Sequence, residues 1–301
     1  MSIPKDDPAC RKVLLRVPCY NHERYVERCL ESIAAQEYPA LEVIVIDDAS
    51  TDGTASVAEQ ACRRHGFKFF RNERNLGVCG TLNKIAKASG DFDFVFSIAS
   101  DDILPSGSIA AMVDALTAHP EAVGAYGDVE YIDMAGKPLG LMRNDKESGD
   151  IFAKVLFNEI SIPWTWIMWT KAAYDSFGGY DEGVPMEDSY AFAKMGRLGH
   201  LRYAGTLVVR YRKHAGNTTA NSWHIYQSSL RVLESLRSEP FYPKLRRLYG
   251  SEHFFLLSRR HKLEALRHLA AALTRPFRRQ FWAGLMNLIG LGFIVDRFIR
   301  K

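Results

Sequence analysis

Two apolar runs in this 301-residue chain each end in a pair of aspartates. Val43-Ile44-Val45-Ile46 leads into Asp47-Asp48, and Phe94-Val95-Phe96-Ser97-Ile98-Ala99-Ser100 leads into Asp101-Asp102. A short continuous apolar run reads as a strand covered on both faces, the pattern of a parallel sheet. Polar groups at the carboxyl ends of such strands lie where open α/β sheets bind ligands. Four carboxylates at one sheet edge repel one another unless a cation or hydrogen-bond donors sit among them. The pattern therefore constrains fold and chemistry together, and it points to a site for a metal and a nucleotide.

The rest of the first half alternates strand and helix patterns. Residues 14–17 read as a first strand ended by Pro18. Residues 22–36 read as an amphipathic helix, with Tyr25, Cys29, Ile33 and Gln36 about one turn apart. A second strand follows at 41–48, and Asp52-Gly53-Thr54 opens a helix to about His65. Strands over 67–71 and 93–100 enclose a helix over 79–88. Ser106 reads as the N-cap of a helix reaching His119, and residues 122–129 as a fifth strand. Such alternation implies right-handed βαβ units and a doubly wound α/β sheet. From about Gly136 the pattern is irregular: a loop-rich stretch to Asn158, an aromatic segment over 163–169, a helix over 186–198 and an extended run over 201–213. Beyond Asn221 the pattern is helical, with breaks near Pro240, Pro243 and Pro276. This division predicts a catalytic domain over 1–220 and a helical, basic extension over 221–301.

With 47% hydrophobic and 25% charged residues the chain is globular. Its five cysteines form no CxxC pair, which suggests reduced thiols in a cytosolic protein. The first residues carry no apolar stretch of the secretory kind. The placement of charge is more informative than the net +4. Residues 259–301 hold ten Lys or Arg against two acidic residues, whereas the preceding residues hold 29 against 33. A uniformly basic nucleic-acid binder would not be built this way; a tail on an anionic membrane surface would, with a solvated helical face as the competing reading. Residues 281–295 are apolar except for Asn287, short of the roughly 20 residues a span takes. They suit an interfacial helix first, a helix docked on the core or a second subunit next, and a membrane span last.

Several constellations carry candidate chemistry. Pro18-Cys19-Tyr20-Asn21 can line a pocket floor with a ring for stacking a base, although taken alone a structural turn is the default reading. Asp47-Asp48 can accept hydrogen bonds from a base or ribose; capping of the next helix explains Ser50 and Asp52 but not this pair. Asn72 to Gly77 precede a helix whose N-terminus can face a phosphate, with Asn83 and Lys84 farther along it. Asp101-Asp102 can divide the work between a divalent cation and a ribose. Asp188 becomes a general-base candidate if the fold brings it to the pocket, while Glu187 also fits helix N-terminal charge stabilisation. His214 follows an extended run, and a lone His is more often structural than a ligand. Trp164, Trp166 and Trp169 can stack on sugars; strand-like spacing would put the first two on one face, with at least one of the three in the core.

Taken together, these residues resemble the GT-A glycosyltransferases of family 2, which make bacterial polysaccharides and lipopolysaccharides. The matching pieces are Pro18-Cys19-Tyr20-Asn21, Gln36-Glu37-Tyr38-Pro39, Glu42 through Thr54, Asn75-Leu76-Gly77, Asn83, Ser100-Asp101-Asp102, Gly178-Gly179-Tyr180-Asp181-Glu182, Glu187-Asp188 and Tyr211-Arg212-Lys213-His214. They run in the family's order from about residue 13 to residue 215. The resemblance implies a mainly parallel mixed sheet flanked by helices. It implies a UDP-, GDP- or dTDP-linked sugar donor held by Pro18, Tyr20, Asn21, Asp48, Asn83 and Asp101. Mn2+ or Mg2+ would sit on Asp101 and Asp102, completed by His214, and Asp188 would be the catalytic base. Trp164, Trp166 and Glu187 would face the acceptor or the donor sugar. The acceptor, a glycan or a lipid-linked glycan at the cytosolic face of the inner membrane, would attack in line and invert the anomeric carbon. Many members carry Asp where this chain has Ala99, which shifts the burden onto Asp101 and Asp102. A sugar nucleotidyltransferase would need a Gly-rich phosphate loop after the first strand, which is not present here. A non-catalytic nucleotide-sugar-binding subunit is the other alternative, raised by Ala99. Donor sugar and linkage depend on pocket shape, which motifs do not encode.

Overall fold

A computed structural model describes residues 11–217, 221–274 and 279–288. The chain divides into two compact units, with the boundary just after Asn217. In the first unit an eight-stranded sheet is built on β1 (Val13–Cys19), whose seven residues are buried apart from the half-buried Pro18. β2 (Leu41–Asp47) and β4 (Phe94–Ser97) flank β1 in parallel, and β3 (Lys68–Arg71) continues the parallel run beyond β2. β7 (Ile167–Thr170) lies antiparallel between β4 and β5 (Ala122–Ile132). β6 (Pro138–Leu141) pairs antiparallel with β5, and β8 (His200–Arg212) runs parallel to it. The strand order is β3-β2-β1-β4-β7-β5-β6, with β8 on β5.

Helices α1 (Val26–Ala34), α2 (Thr54–His65), α3 (Gly77–Ala88) and α4 (Ser108–Thr117) connect the parallel strands and cover them. α5 (Phe152–Leu156), α6 (Lys171–Phe177) and α7 (Glu187–Met195) belong to the irregular second half. One core joins Val13, Leu15 and Val17 of β1 to Cys29, Leu30 and Ile33 of α1 and Met112, Val113 and Leu116 of α4. Each side chain of this size contributes roughly 1.5–3 kcal/mol when fully buried, so strands covered on both faces anchor the sheet. The mixed, largely parallel α/β architecture is the one that the alternation and the family resemblance require. The four described cysteines are buried and free.

Several boundaries differ from the sequence expectation. β1 runs through Pro18 to Cys19. The missing N–H of Pro18 falls on the β4 side, where the ladder already ends at the Arg16–Ser97 pair, so no sheet hydrogen bond is lost. α1 begins at Val26 rather than His22, because the backbone N–H of His22 donates to Thr54 Oγ1 at 2.7 Å and holds that residue in the preceding turn. Ser106 does not cap α4; left-handed Gly107 precedes it, and Ser108 Oγ donates to Pro105 O. Trp164 and Trp166 lie in a turn before β7 rather than in a strand, so strand alternation does not place them.

The second unit is helical: α8 (Ser222–Ser235), α9 (Tyr242–Ser258), α10 (Lys262–Leu266), α11 (Leu269–Leu273) and α12 (Arg279–Leu288). Its core gathers Tyr226, Phe254, Leu257, Ala265, Ala272 and Phe281. The apolar segment expected over 281–295 enters this core through Phe281, which stacks on Phe254 at 6.1 Å, while Trp282 stays exposed. Residues 289–295 of that segment lie outside the described residues. No described helix is long and apolar enough to cross a membrane.

Candidate active site

The carboxyl ends of β2, β1 and β4 form one edge, and the loops leaving it are cross-braced. Asn21 and Ala49 both adopt left-handed backbone, with φ of 54° and 57°. Asn tolerates this conformation because its side chain can bond locally, whereas Ala does so only when its surroundings fix it. Here they do: Asn21 N–H donates to Ser50 Oγ at 3.0 Å, and Thr51 N–H donates to Asn21 Oδ1 at 2.9 Å. The Asn21 side chain, expected on a nucleotide, therefore ties the β1–α1 loop to the β2–α2 loop. Tyr20 projects outward with 44% exposure, beside half-buried Pro18. Asp52, one residue before the Gly53 N-cap of α2, accepts from Thr54 N–H at 3.0 Å.

The first aspartate pair is largely satisfied by the protein itself. Asp47, fully buried, accepts from Ser50 N–H at 3.1 Å and pairs with Arg71 Nε at 3.2 Å. Asp48 Oδ1 accepts from Asn72 Nδ2 and from Leu76 N–H, both at 2.8 Å. Lys84 Nζ donates in turn to Asn72 Oδ1 at 2.9 Å. Asn72 and Lys84, expected near a phosphate, thus form a chain that holds Asp48 at the mouth of α3.

The second pair separates into two environments. An isolated antiparallel bridge between Ile103 and Arg210 brings the end of β8 against the loop after β4. Arg212 is 2% exposed; its N–H donates to Asp102 Oδ1 at 2.9 Å and its Nε to Asp101 O at 2.7 Å. Its guanidinium also donates to Asp133 O and Met134 O, each at 3.1 Å, and lies over the Tyr25 ring. Asp102, expected as a metal ligand, therefore turns its Oδ1 toward β8, while its Oδ2 is buried with no hydrogen-bond partner. Burial and the charge of Asp101 push its carboxyl well above the usual range, against the pull of Arg212.

Asp101 points the other way. Its Oδ2 lies 2.8 Å from His214 Nε2 and 3.7 Å from His22 Nε2, and its Oδ1 is buried with no hydrogen-bond partner. Gly216 N–H donates to His214 Nδ1 at 3.2 Å, so the ring proton of His214 sits on Nε2, facing Asp101. Burial lowers the His22 pKa, against the attraction of Asp101. The donor atoms of His22, Asp101 and His214 all lie within 4.8 Å of one another. Two imidazoles and a carboxylate with an orphaned oxygen are a fitting donor set for a divalent cation.

A second group forms around α7. Asp188, half-buried in the first turn, accepts from Thr165 Oγ1 at 2.9 Å and from Ser189 N–H at 2.7 Å. Burial raises its pKa. Burial and the charge of Asp188 raise that of Glu187 to about 7. Thr165 is followed by Trp166, whose ring packs on Tyr211 at 5.1 Å and whose side chain bears on Asp102. A single turn thus stands between the Asp188 carboxylate and the second aspartate pair. Trp166 and Trp169 are buried, while Trp164 is half-buried against Phe192. Trp164 also edges a cavity of about 220 Å³ lined by Arg143, Val155, Asn158, Ile160, Ser161 and Ile162.

The loop leading to α7 is clamped at Tyr180. Asn83 Nδ2 donates to Tyr180 O and Asn83 Oδ1 accepts from Tyr180 N–H, both at 2.9 Å. Arg16, buried in mid-β1, donates to Ser97 Oγ, Tyr174 OH and Tyr180 OH. Asn83, expected on a nucleotide, thus holds this loop through both atoms of its amide. Sequence reasoning placed His22 in a helix and gave Arg16 no part beyond the first strand. For His22 the available signal was its position directly after Pro-Cys-Tyr-Asn; for Arg16 it was a charge inside an apolar strand, which requires buried partners.

The family profile described as Glycosyl transferase family 2 matches residues 15–174, more than half of the chain, and the chain belongs to that family. An uncharacterized glycosyltransferase of Haemophilus influenzae is 29% identical over 234 residues, covering 73% of this chain and 70% of that protein. Chondroitin synthase of Escherichia coli is 22% identical over 218 residues; the match covers 72% of this chain but 31% of that longer protein. Among solved structures, S. aureus TarS 1-349 in complex with UDP-GlcNAc superposes with a TM-score of 0.66 at 18% identity, covering 96% of this chain and 91% of that one. The mannosyltransferase PcManGT from Pyrobaculum calidifontis, in complex with GDP-Man and Mn2+, gives 0.61 at 19%, covering 98% and 90%. At these identities the two structures establish a shared fold.

The Asn83 clamp has a direct readout. In Asn83→Ala the Tyr180 amide is expected to exchange with solvent about fivefold faster or more, matching a net hydrogen bond of about 1 kcal/mol. Unchanged exchange at Tyr180 would show that the loop is held without Asn83.

Proposed function

We propose that this family 2 glycosyl transferase moves a sugar from a nucleoside-diphosphate sugar to a hydroxyl of a glycan or lipid-linked acceptor, inverting the anomeric carbon. The observation that carries the reading is Asp101, 6% exposed, held between two imidazoles with one oxygen unpartnered at the carboxyl edge of parallel strands. Mn2+ or Mg2+, held by Asp101 and His214, would neutralise the charge developing on the departing nucleoside diphosphate. Tyr20 offers an exposed ring for the base, and Asp48, fixed through Asn72 and Leu76, offers its second oxygen to the nucleoside. Asp188 takes the acceptor proton. Its hydrogen bonds from Thr165 and Ser189 fix the carboxylate, and its raised pKa makes it a stronger base than an exposed aspartate. The cavity beside Trp164 combines an aromatic face with Arg143, Asn158 and Ser161, a chemistry suited to a sugar of the acceptor. We assign catalysis to the first unit and contact with an anionic membrane surface, at the cytosolic face, to the basic second unit.

Asp188→Asn is expected to bind donor within about twofold of wild type by calorimetry while kcat falls at least about a hundredfold, the lower end for loss of a general base. Transfer at the native rate would remove Asp188 from that role.

The Glu187–Asp188 pair gives a pH signature. Glu187 keeps its proton up to about pH 7 beside an Asp188 that ionises first, so the acid limb of kcat/KM belongs to Asp188, whose pKa burial raises, and a second charge arrives beside the base near pH 7. In Glu187→Gln the acid limb should stay in place while any change of kcat/KM near pH 7 disappears; an acid limb that moves to lower pH would mean that Glu187 sets the titration of Asp188. Stability follows the same linkage. The folded pKa of about 7 exceeds the ordinary 4.5, so the Glu187 contribution is fully present below pH 4.5 and lost as pH rises through 7.

A further inference from the structure

We propose that His22 is a third ligand of the cation site, and that the resulting two-histidine, one-carboxylate set selects a transition metal ion such as Mn2+ or Co2+ over Mg2+. The inference rests on the reading of Asp101 and His214 as a cation site and adds a ligand and a selectivity to it. The residue two positions before Asp101 is Ala99, whose exposed methyl group supplies no donor. The His22 ring stands close to the Asp101 carboxylate, with Nε2 3.7 Å from Asp101 Oδ2.

The ring is oriented rather than loose. Its Nδ1 lies 2.8 Å from Ser100 Oγ, and Ser100 is fully buried. Its backbone N–H is fixed on Thr54 Oγ1, which Asp52 holds in turn. In the tautomer that donates Nδ1–H to Ser100 Oγ, the Nε2 lone pair faces Asp101. This is how histidine ligands are commonly set, by a hydrogen bond on the nitrogen away from the metal. His214 Nε2 lies 2.8 Å from the same oxygen, Asp101 Oδ2. The two rings stand 5.9 Å apart and nearly perpendicular, and Tyr25 stacks on His214 at 5.4 Å. Donors about 2.1 Å from one ion lie roughly 3.0–3.5 Å from each other, and the separations from Asp101 Oδ2, 2.8 and 3.7 Å, bracket that range. Occupying the site shifts the His214 proton from Nε2 to Nδ1, at the expense of the long 3.2 Å contact from Gly216. Imidazole nitrogen favours transition metals, whereas Mg2+ favours carboxylate, phosphate and water oxygen. Two nitrogens against one carboxylate therefore bias the site away from Mg2+.

The test titrates the full-length protein with Co2+, followed by its visible absorption, and with Mn2+ and Mg2+, followed by calorimetry. Wild type should take up one Co2+ with nitrogen-ligand absorption bands and bind Mn2+ at least about tenfold more tightly than Mg2+. His22→Gln should weaken Co2+ and Mn2+ binding about tenfold or more, the scale on which losses at metal sites are felt, alter the Co2+ bands and leave Mg2+ binding nearly unchanged. His22→Asn is a second variant of the same test, and thermal melting verifies that each is folded. Adding Ala99→Asp to His22→Gln should raise Mg2+ affinity relative to Co2+. If His22→Gln and His22→Asn keep the native Co2+ bands and affinity while His214→Ala loses them, His22 is not a ligand and the Asp101–His214 site stands. If wild type takes up no Co2+ or Mn2+, the cation reading falls, and this inference with it.

Discussion

Burying a carboxylate costs several kcal/mol unless its oxygens find donors or a cation, and this chain places four at one edge of its sheet. Much of the architecture around that edge supplies partners. Arg71 and the Ser50 amide serve Asp47, and Asn72 with the Leu76 amide serves Asp48. Arg212 serves Asp102 and, through its other donors, holds the carbonyls of Asp101, Asp133 and Met134. One buried guanidinium thus fastens the end of β8 to the loop after β4 and to the turn after β5. An oxygen without a hydrogen-bond partner is common to Asp47, Asp101 and Asp102; Asp101 differs from the others in facing two imidazoles.

The same economy appears on the other side of the turn before β7. Thr165 reaches Asp188, and Trp166 bears on Asp102 while packing on Tyr211. Adjacent residues therefore couple the proposed base to the aspartate pair at the strand end. The segment that delivers Asp188 is held at Tyr180, by Asn83 through its backbone and by Arg16 through its hydroxyl. Two conspicuous polar residues, Asn21 and Asn83, each brace a loop with their side-chain amide.

The strands and helices of the first half were legible because their signals are local. Apolar runs, their polar terminators and the Asp-Gly-Thr helix start need no knowledge of distant residues. The aspartate pairs announced the edge for the same reason. What the sequence did not reveal was how each pair divides, since that depends on partners such as Arg212, 110 residues away from Asp102. His22 was hidden by helical periodicity: its turn is held by Thr54, 32 residues on, and only there does its ring face Asp101. Pro18 misled in the opposite sense, because a proline ends a strand only where its N–H would have had a partner. Trp164 and Trp166 obeyed turn geometry, which strand spacing does not anticipate.

The account turns on Asp101 as the carboxylate that meets an ion while Asp102 stays with Arg212. Anomalous diffraction from crystals grown with Mn2+ and a nucleoside diphosphate tests this most directly. The account predicts one Mn2+ peak within coordination distance of Asp101, His214 and His22, with Asp102 Oδ1 still accepting from the Arg212 amide. A peak on Asp102, or between Asp47 and Asp48, would contradict it.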